Sequence, residues 1–402
     1  MTAILCALWA PAQGQSATGS KVGAGIDVLE SRHFDLLLHG RPTVRIGLLT
    51  NQTGVDSQGR RTIDVLAHAR GVALVAIFSP EHGVAGTLDT TEIGNTRDAA
   101  TGVPVFSVYG ATTAQRRPSL DVLKQLDAVV IDLQDAGVPF FSYEVTLGYL
   151  LEAASQAAIE VLVLDRPNPI TGSMVEGPLV AHKPNSFKGY FPLPVRHGMT
   201  LGELARLFNA ERDIHARLTV VAMQGWKRGD WYDSTGLAWI NPSPNLRSLN
   251  EATLYPGVAL VEATNVSVGR GTDTPFEVLG APWIDANQLA DYLNHRQIAG
   301  VRFTPARFTP ASGPYSGEPC AGVHFTVTDR NQLDSPALGI ELAAALHQLY
   351  PKEFKIERVN DILGNQSIVD ALARGEDPRG IARGWRKELE AFERMRRKYL
   401  LY

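Results

Sequence analysis

Short apolar runs alternate with helical patterns along the first half of the chain. Continuous aliphatic and β-branched runs predict strands at residues 44–50, 72–78, 103–108, 128–133, 160–165 and 218–223. Apolar residues at helical spacing predict helices at residues 62–69, 119–126, 143–158 and 200–209, the last opened by a capping box at Thr200. Strands that are apolar throughout are typical of a parallel sheet covered on both faces. The pattern therefore predicts an α/β fold with a Rossmann-like parallel sheet.

The second half of the chain predicts a smaller α/β unit. Strand-like runs occupy residues 258–265 and 322–328, and helical patterns occupy residues 286–295, 335–349 and 381–399. A stretch rich in tryptophan and proline, residues 226–247, resembles a domain edge and linker. With 402 residues the chain is long enough for two domains. We expect a catalytic domain at residues 25–240 and an auxiliary domain at 248–402.

Polar side chains follow the predicted strands at the points where the strands end. The carboxyl ends of parallel strands meet at one edge of the sheet, where ligands bind in open α/β proteins. Four separate loops therefore deliver acids, amides and an arginine to one crevice. These residues are Asn51 after the first strand, Glu81 and His82 after the second, Asp132, Gln134 and Asp135 after the fourth, and Arg166 and Asn168 after the fifth.

Among these segments, the motif Ser79-Pro80-Glu81-His82-Gly83 gives the most direct indication of catalytic chemistry. Pro80 cannot continue a central ladder, so the strand ends there and presents a glutamate and a histidine at the edge of the core. Such a position suits acid–base chemistry, which makes Glu81 and His82 candidate catalytic residues. The alternative is a turn whose glutamate only caps the next segment.

Composition and motifs exclude several other classes of protein. The net charge of −4 gives no reason to expect nucleic acid or an anionic membrane as a partner. The sequence lacks a G-x-G-x-x-G or Walker A loop, a G-x-S-x-G elbow and an H-E-x-x-H pair. Two cysteines, Cys6 and Cys320, form no zinc pattern. We therefore predict neither a cofactor nor a metal.

The N-terminal residues 1–24 resemble a secretory signal. The apolar run at residues 2–11 is too short to span a bilayer, and small polar residues follow it, although a basic segment before it is missing. This pattern predicts a secreted or periplasmic protein. The alternative is a disordered tail.

Two features after residue 225 bear on ligand binding. Trp226, Trp231, Tyr232 and Trp239 cluster in sequence and either stack on sugar rings or fill a core between domains. Arg270 lies between two glycines in a long polar loop, where its guanidinium could bind a carboxylate or phosphate. The alternative for Arg270 is an ion pair with a local acid such as Glu262 or Glu277.

Taken together, these segments resemble a bacterial family of exo-acting β-N-acetylmuramidases, glycoside hydrolase family 171. The resemblance runs in order from Gly25 to the C-terminus. The segments that carry it are Ser79-Pro-Glu-His-Gly83, Asp132-Leu-Gln-Asp-Ala-Gly137, Leu164-Asp-Arg-Pro-Asn-Pro169, Glu176-Gly-Pro178, Gly198-Met-Thr-Leu-Gly-Glu-Leu204, Tyr255-Pro-Gly257, Glu262-Ala-Thr-Asn-Val-Ser-Val-Gly-Arg-Gly-Thr272 and Pro275-Phe-Glu277.

The resemblance implies a Rossmann-like domain, a smaller α/β domain and a cleft between them. It also implies release of N-acetylmuramic acid from the non-reducing end of peptidoglycan fragments. The catalytic glutamate of the family's Pro-Glu-His-Gly motif corresponds to Glu81.

Glycoside hydrolysis predicts roles for the remaining candidates. Glu81 would be the acid, and a second carboxylate would be Asp135 or, as second choice, Asp132. Alternatively, the substrate's acetamido oxygen acts as nucleophile and Asp135 polarises that amide. The lactyl carboxylate would bind Arg270 or Arg166, and the sugar hydroxyls would bind Asn51, Asn168 and Asn265. Two other functions stay open: a non-catalytic peptidoglycan-binding module, and a hydrolase of another sugar derivative, such as a phosphorylated sugar.

Overall fold

The computed structural model describes residues 22–181 and 188–402. Most of the signal-like segment, including Cys6, lies outside the described residues. The strands are β1 Val44–Thr50, β2 Val72–Ser79, β3 Thr96–Arg97, β4 Pro104–Ser107, β5 Ala128–Asp132, β6 Glu160–Leu164, β7 Glu176–Val180, β8 Leu193–Arg196, β9 Arg217–Val221, β10 Val278–Ala281, β11 Val301–Phe308 and β12 Cys320–Val327.

Helices separate most of these strands. They are α1 Gly25–Ser31, α2 Asp35–Leu38, α3 Thr62–Ala67, α4 Leu120–Leu123, α5 Tyr143–Ala157, α6 Leu201–Glu211, α7 Leu249–Val258, α8 Ala286–His295, α9 Ser335–Leu349, α10 Asn360–Leu363, α11 Gln366–Ala373, α12 Pro378–Gly384 and α13 Arg386–Arg396. Short 3₁₀ helices occupy Tyr232–Ser234, Ala259–Val261 and Ile356–Val359.

Seven strands form one large sheet in the order β3-β4-β2-β1-β5-β6-β9. All neighbours are parallel except β3 and β4. Every residue of β5 is buried, and its side chains alternate between two hydrophobic clusters: Val129 and Ile131 join one, Ala128 and Val130 the other. Both faces of the sheet are thus covered, which explains the continuous apolar runs and confirms the predicted α/β fold.

The helix predicted from the capping box at Thr200 is confirmed. The Thr200 hydroxyl accepts a hydrogen bond from the Glu203 backbone N–H at 3.2 Å, and the Glu203 carboxylate accepts one from the Thr200 N–H at 3.1 Å. These bonds satisfy two backbone donors that the first turn of a helix leaves unpaired.

The second half contains an antiparallel sheet in the order β10-β12-β11, with α8 packed beside it and α9 packed against α8. One hydrophobic cluster includes residues of both halves, such as Phe141 and Phe276, so the two units share a core. The chain also returns at its end to the large sheet. There the Tyr402 hydroxyl donates to Asp165 at 2.8 Å and accepts from the Met223 N–H at 2.8 Å.

Two predictions of secondary structure were wrong. The predicted strand at residues 258–265 is instead the end of α7 followed by a 3₁₀ turn. Every residue of Ala252–Val261 is buried, and a helix buried on all sides shows no helical periodicity that would distinguish it from a buried strand. The single helix predicted at residues 381–399 is two helices, α12 and α13, which meet at Trp385.

Candidate active site

A cleft of about 430 Å³ lies between the carboxyl edge of the large sheet and the second half of the chain. We call it the main cleft. The first half contributes Glu81, His82, Asp89, Phe140, Phe141, Ser142, Lys188 and Ser243, and the second half contributes Tyr255, Glu262, Ala263, Arg270, Phe276, Ser312, Gly313 and Ile362. Of the ten predicted site residues, three line this cleft: Glu81, His82 and Arg270.

The Glu81 carboxylate is held by two hydroxyl groups. Tyr109 donates to Oε1 at 2.5 Å, and Ser142 donates to Oε2 at 2.5 Å. Ser142 is the N-cap residue of α5, yet its side chain makes no cap hydrogen bond because its hydroxyl binds Glu81. Burial and the charge of Glu81 raise the pKa of the Tyr109 phenol, which therefore stays protonated and donates. Both oxygens of Glu81 are thus oriented before any substrate binds.

His82 and Gly83 form the turn that places Glu81 at the cleft. Both residues have positive φ, 69° and 74°, and the turn follows Pro80, directly after the last residue of β2, Ser79. The His82 ring nitrogen Nδ1 lies 2.7 Å from the carbonyl oxygen of Leu88. Because a carbonyl only accepts, Nδ1 carries a proton in this bond, and the ring ties the following loop to the turn.

Arg270 lies on the opposite side of the cleft and forms an ion pair with Glu262. An ion pair with a local acid was the alternative to a ligand-binding role for this arginine. Its guanidinium also lies over the Phe276 ring, 5.3 Å from the centroid. The two flanking glycines have φ of 81° and 76°, and a Cβ at Gly271 would come within 2.6 Å of the Ser312 backbone nitrogen. Glycine therefore permits the close loop contact that sets the position of Arg270.

Tyr255 is a cleft residue that sequence reasoning missed as a functional candidate. Its ring packs edge-on against Phe140, Phe141 and Phe276, at centroid distances of 5.6, 6.4 and 4.8 Å. Burial, with the nearby charges of Glu262, Glu81 and Asp135, raises the pKa of its phenol, so the hydroxyl stays protonated. The Tyr255-Pro-Gly257 segment was a weak signal, because a tyrosine within a buried apolar helix usually belongs to the core.

Asp135 is buried and does not line the main cleft. Its Oδ2 accepts from the Gly137 N–H at 2.8 Å and lies 3.7 Å from His197 Nε2, whereas Oδ1 has no hydrogen-bond partner among the described residues. Burial raises the pKa of Asp135 to about 7 and raises that of the neighbouring Glu144 well above its usual value. Asp135 therefore changes its charge near neutral pH, at a position behind the cleft.

Asp132 and Arg166, both predicted to contact substrate, form a buried ion pair with each other. The Arg166 guanidinium donates to both Asp132 oxygens, at 2.5 and 2.8 Å, and to the carbonyl of Val55 at 2.7 Å. The side chains are 5% and 0% exposed, and the Thr62 hydroxyl donates to Asp132 at 2.5 Å. The pair thus links the loops after three strands, and it does not line the main cleft.

The other four predicted binding residues also engage neighbouring loops. Their side-chain amides satisfy groups of the chain itself, and none lines the main cleft. Asn51 donates to Tyr143 and accepts from Thr53; Gln134 donates to the carbonyls of Asp135 and Pro167; Asn168 donates to Met199 and accepts from Ile170; Asn265 donates to Glu353 and accepts from Lys355. Their substrate contacts stay predictions, while these bonds give each a role in shaping the loops.

We predict that Asp132→Asn lowers the free energy of unfolding because Asp132 has a structural role. The substitution leaves the Arg166 charge buried without its partner, which costs about 3–5 kcal/mol of unfolding free energy. Urea denaturation of Asp132→Asn, beside Asp233→Asn in the exposed Arg330–Asp233 pair, tests this. A stable Asp132→Asn variant that had lost substrate binding would instead assign Asp132 to the substrate.

The tryptophan cluster belongs to the core rather than to the main cleft. Trp226 and Trp231 are buried, and Trp239 packs edge-on against Tyr232 at 5.1 Å. The aromatic walls of the cleft come from other positions, namely Phe140, Phe141, Tyr255 and Phe276. None of these residues lines the main cleft, and the burial of Trp226 and Trp231 favours the core-filling alternative for those two.

Within residues 22–181 and 188–402, no group of three or more histidine, cysteine, aspartate or glutamate side chains is arranged to hold a metal ion. None of the helices in the described part of the chain has the length and apolar character needed to cross a membrane. Cys320 is a free, buried cysteine.

Comparisons with known proteins cover nearly the whole chain. Residues 46–250 match the family model of the exo-β-N-acetylmuramidase NamZ N-terminal domain, and residues 253–402 match that of its C-terminal domain. The peptidoglycan β-N-acetylmuramidase NamZ of Bacillus subtilis (strain 168) is 40% identical over 394 residues, 97% of this chain and 94% of that protein.

Two solved structures of DUF1343 family proteins from Bacteroides fragilis NCTC 9343 are also similar. They are 35% and 29% identical, with TM-scores of 0.86 and 0.74, and each comparison covers 95% of this chain and 99% of the other.

Proposed function

This chain belongs to the exo-β-N-acetylmuramidase NamZ family, and we infer that it releases N-acetylmuramic acid from the non-reducing end of peptidoglycan fragments. It is a glycoside hydrolase. The observation that supports a site for this reaction is the main cleft, which presents an oriented carboxylate, Glu81, opposite a guanidinium, Arg270.

We propose that Glu81 protonates the glycosidic oxygen as the bond from that oxygen to the anomeric carbon breaks. A general acid alternates between a charged and a neutral form. Its two partners, Tyr109 and Ser142, carry hydroxyl groups, and a hydroxyl can donate to the carboxylate or accept from the carboxylic acid. This arrangement supports an acid that loses and regains its proton in one fixed orientation.

Tyr255 is proposed to hydrogen-bond the sugar at the reacting centre. Its hydroxyl has no protein hydrogen-bond partner among the described residues, and its ring is fixed by three phenylalanines, so a donor is ready for a substrate oxygen. An acetamido oxygen is one such acceptor, in keeping with the substrate-assisted alternative. Asp135 does not line the main cleft, so it would not contact that amide directly.

Arg270 is proposed to recognise the lactyl carboxylate that distinguishes muramic acid from glucosamine. Its partner Glu262 is on the same cleft wall, and both side chains are only partly exposed, at 28% and 21%. A guanidinium has donors on both edges, so it can keep Glu262 and bind a second carboxylate.

We propose in addition that the protein acts outside the cytoplasm, secreted or periplasmic, because its substrate is cell-wall material and because residues 1–24 resemble a secretory signal. The N-terminal unit is proposed to be Rossmann-like, since β2, β1, β5 and β6 are parallel neighbours in that order.

The experiment that tests the function compares two chromogenic substrates. A β-N-acetylmuramyl aryl glycoside and its N-acetylglucosaminyl counterpart differ only in the lactyl group. We expect the enzyme to cleave the muramyl compound and to leave the glucosaminyl compound nearly untouched. Equal cleavage would refute selectivity for muramic acid, and binding of peptidoglycan without cleavage of either compound would favour a non-catalytic binding module.

A further inference from the structure

A second cavity, of about 370 Å³, lies beside Glu81 and outside the main cleft. We call it the side cavity. Residues that bear on its chemistry are Asn95, Phe106, Tyr109, Ala114, Gln115 and Arg117. It is formed by the end of β4 and the loops before β3 and before α4. The proposed reaction assigns no substrate contact to this cavity.

Tyr109 connects the two cavities. Its side chain lines the side cavity, while its hydroxyl donates at 2.5 Å to Glu81, which lines the main cleft. The proposed catalytic carboxylate is therefore in direct contact with a side chain that lines the side cavity.

The position of a general acid fixes where the two parts of its substrate lie. The acid must reach the glycosidic oxygen, and that oxygen joins the released sugar to the remaining chain. With Arg270 on the main cleft, the terminal muramyl sugar occupies that side of Glu81. The leaving saccharide must then extend on the other side of the acid.

We propose that the side cavity binds the leaving saccharide, an N-acetylhexosamine at the end of the remaining glycan. This inference rests on the proposed function. Two aromatic side chains, Phe106 and Tyr109, give the cavity surfaces against which the apolar C–H face of a sugar packs.

Two amide side chains in the cavity offer donors for sugar hydroxyls. Asn95 Oδ1 accepts from the Ser107 N–H at 3.0 Å, and Gln115 Oε1 accepts from the Thr112 N–H at 2.9 Å. These bonds hold the amides in place through their oxygens. Their NH₂ groups have no hydrogen-bond partner in the part of the chain that the structure describes, and both residues are exposed, so the donors face solvent.

Blocking the side cavity without removing any contact tests the proposal. Ala114 is exposed and lines the cavity, whereas Ala111 is exposed in the same loop and does not line it. Ala114→Trp fills the cavity, and Ala111→Trp is the matched control. Each variant is assayed on a muramyl aryl glycoside, whose leaving group is no sugar, and on a disaccharide of N-acetylmuramic acid and N-acetylglucosamine.

We expect Ala114→Trp to lower kcat/KM at least tenfold on the disaccharide and at least threefold less on the aryl glycoside, whose smaller, flat leaving group does not depend on the two amide donors. Ala111→Trp should change neither value by more than twofold. An equal loss on both substrates, or no loss on the disaccharide, would overturn the assignment. Wild-type enzyme that cleaves neither substrate would refute the proposed function itself, which separates the two failures.

Product inhibition of the wild-type enzyme gives a second measurement that needs no folded variant. N-acetylglucosamine carries no lactyl carboxylate for Arg270, so in the proposed arrangement it binds in the side cavity. It should compete with the disaccharide, and its inhibition constant should rise at least tenfold in Ala114→Trp where that variant folds. A wild-type enzyme that millimolar N-acetylglucosamine does not inhibit would contradict the proposal without any variant.

Discussion

Replacing Glu81 by glutamine is expected to lower kcat/KM on a muramyl disaccharide by about 10³-fold, within the range typical of a lost general acid. Glutamine keeps the size of the side chain and can still bond both Tyr109 and Ser142, so folding should be preserved. It cannot deliver a proton to the glycosidic oxygen. Thermal melting and circular dichroism confirm the folding, and initial rates measure the loss.

The leaving group reveals whether Glu81 acts as the acid. A dinitrophenolate departs without protonation, whereas a sugar alkoxide does not. Glu81→Gln should therefore lose far less activity on a dinitrophenyl muramyl glycoside than on the disaccharide. Equal losses on both substrates would assign Glu81 to another role, such as nucleophile or base. The exposed Glu92, in the loop that follows Glu81, supplies the control Glu92→Gln, which should behave as wild type.

Replacing Arg270 by methionine is expected to lower kcat/KM on muramyl substrates by about 10²-fold, mostly through a higher KM. Methionine preserves much of the apolar contact with Phe276 and removes the charge. The loss of one partner of a partly buried charged pair costs about 2–5 kcal/mol, or about 30-fold to several thousand-fold. Part of that cost comes from Glu262, which then repels the substrate carboxylate.

Glu262→Gln in the Arg270→Met background separates these two causes. It removes the repulsion but does not restore the guanidinium, so recovery should be partial. Inhibition by free N-acetylmuramic acid should weaken in Arg270→Met, while inhibition by N-acetylglucosamine should stay within twofold of wild type. Similar weakening for both sugars would contradict a contact between Arg270 and the lactyl group.

The sequence by itself determined where the chemistry is presented. Continuous apolar strands, each ending in polar residues, require a covered parallel sheet with one polar edge, because only that arrangement buries both faces of the strands. Pro80 fixes the end of β2, so Glu81 and His82 had to lie at that edge. The capping box at Thr200 is a local signal of the same kind, since its bonds join residues three positions apart.

Only the tertiary structure decided which polar side chains face the main cleft. Buried loop ends must satisfy their own polar groups, so Asp132 and Arg166 pair with each other, and Asn51 and Asn168 bind backbone and side chains of neighbouring loops. A strand end specifies the edge of the sheet but not the direction in which each side chain turns. Tyr255 reaches the cleft from a distant helix, whose placement depends on the core that the two halves share.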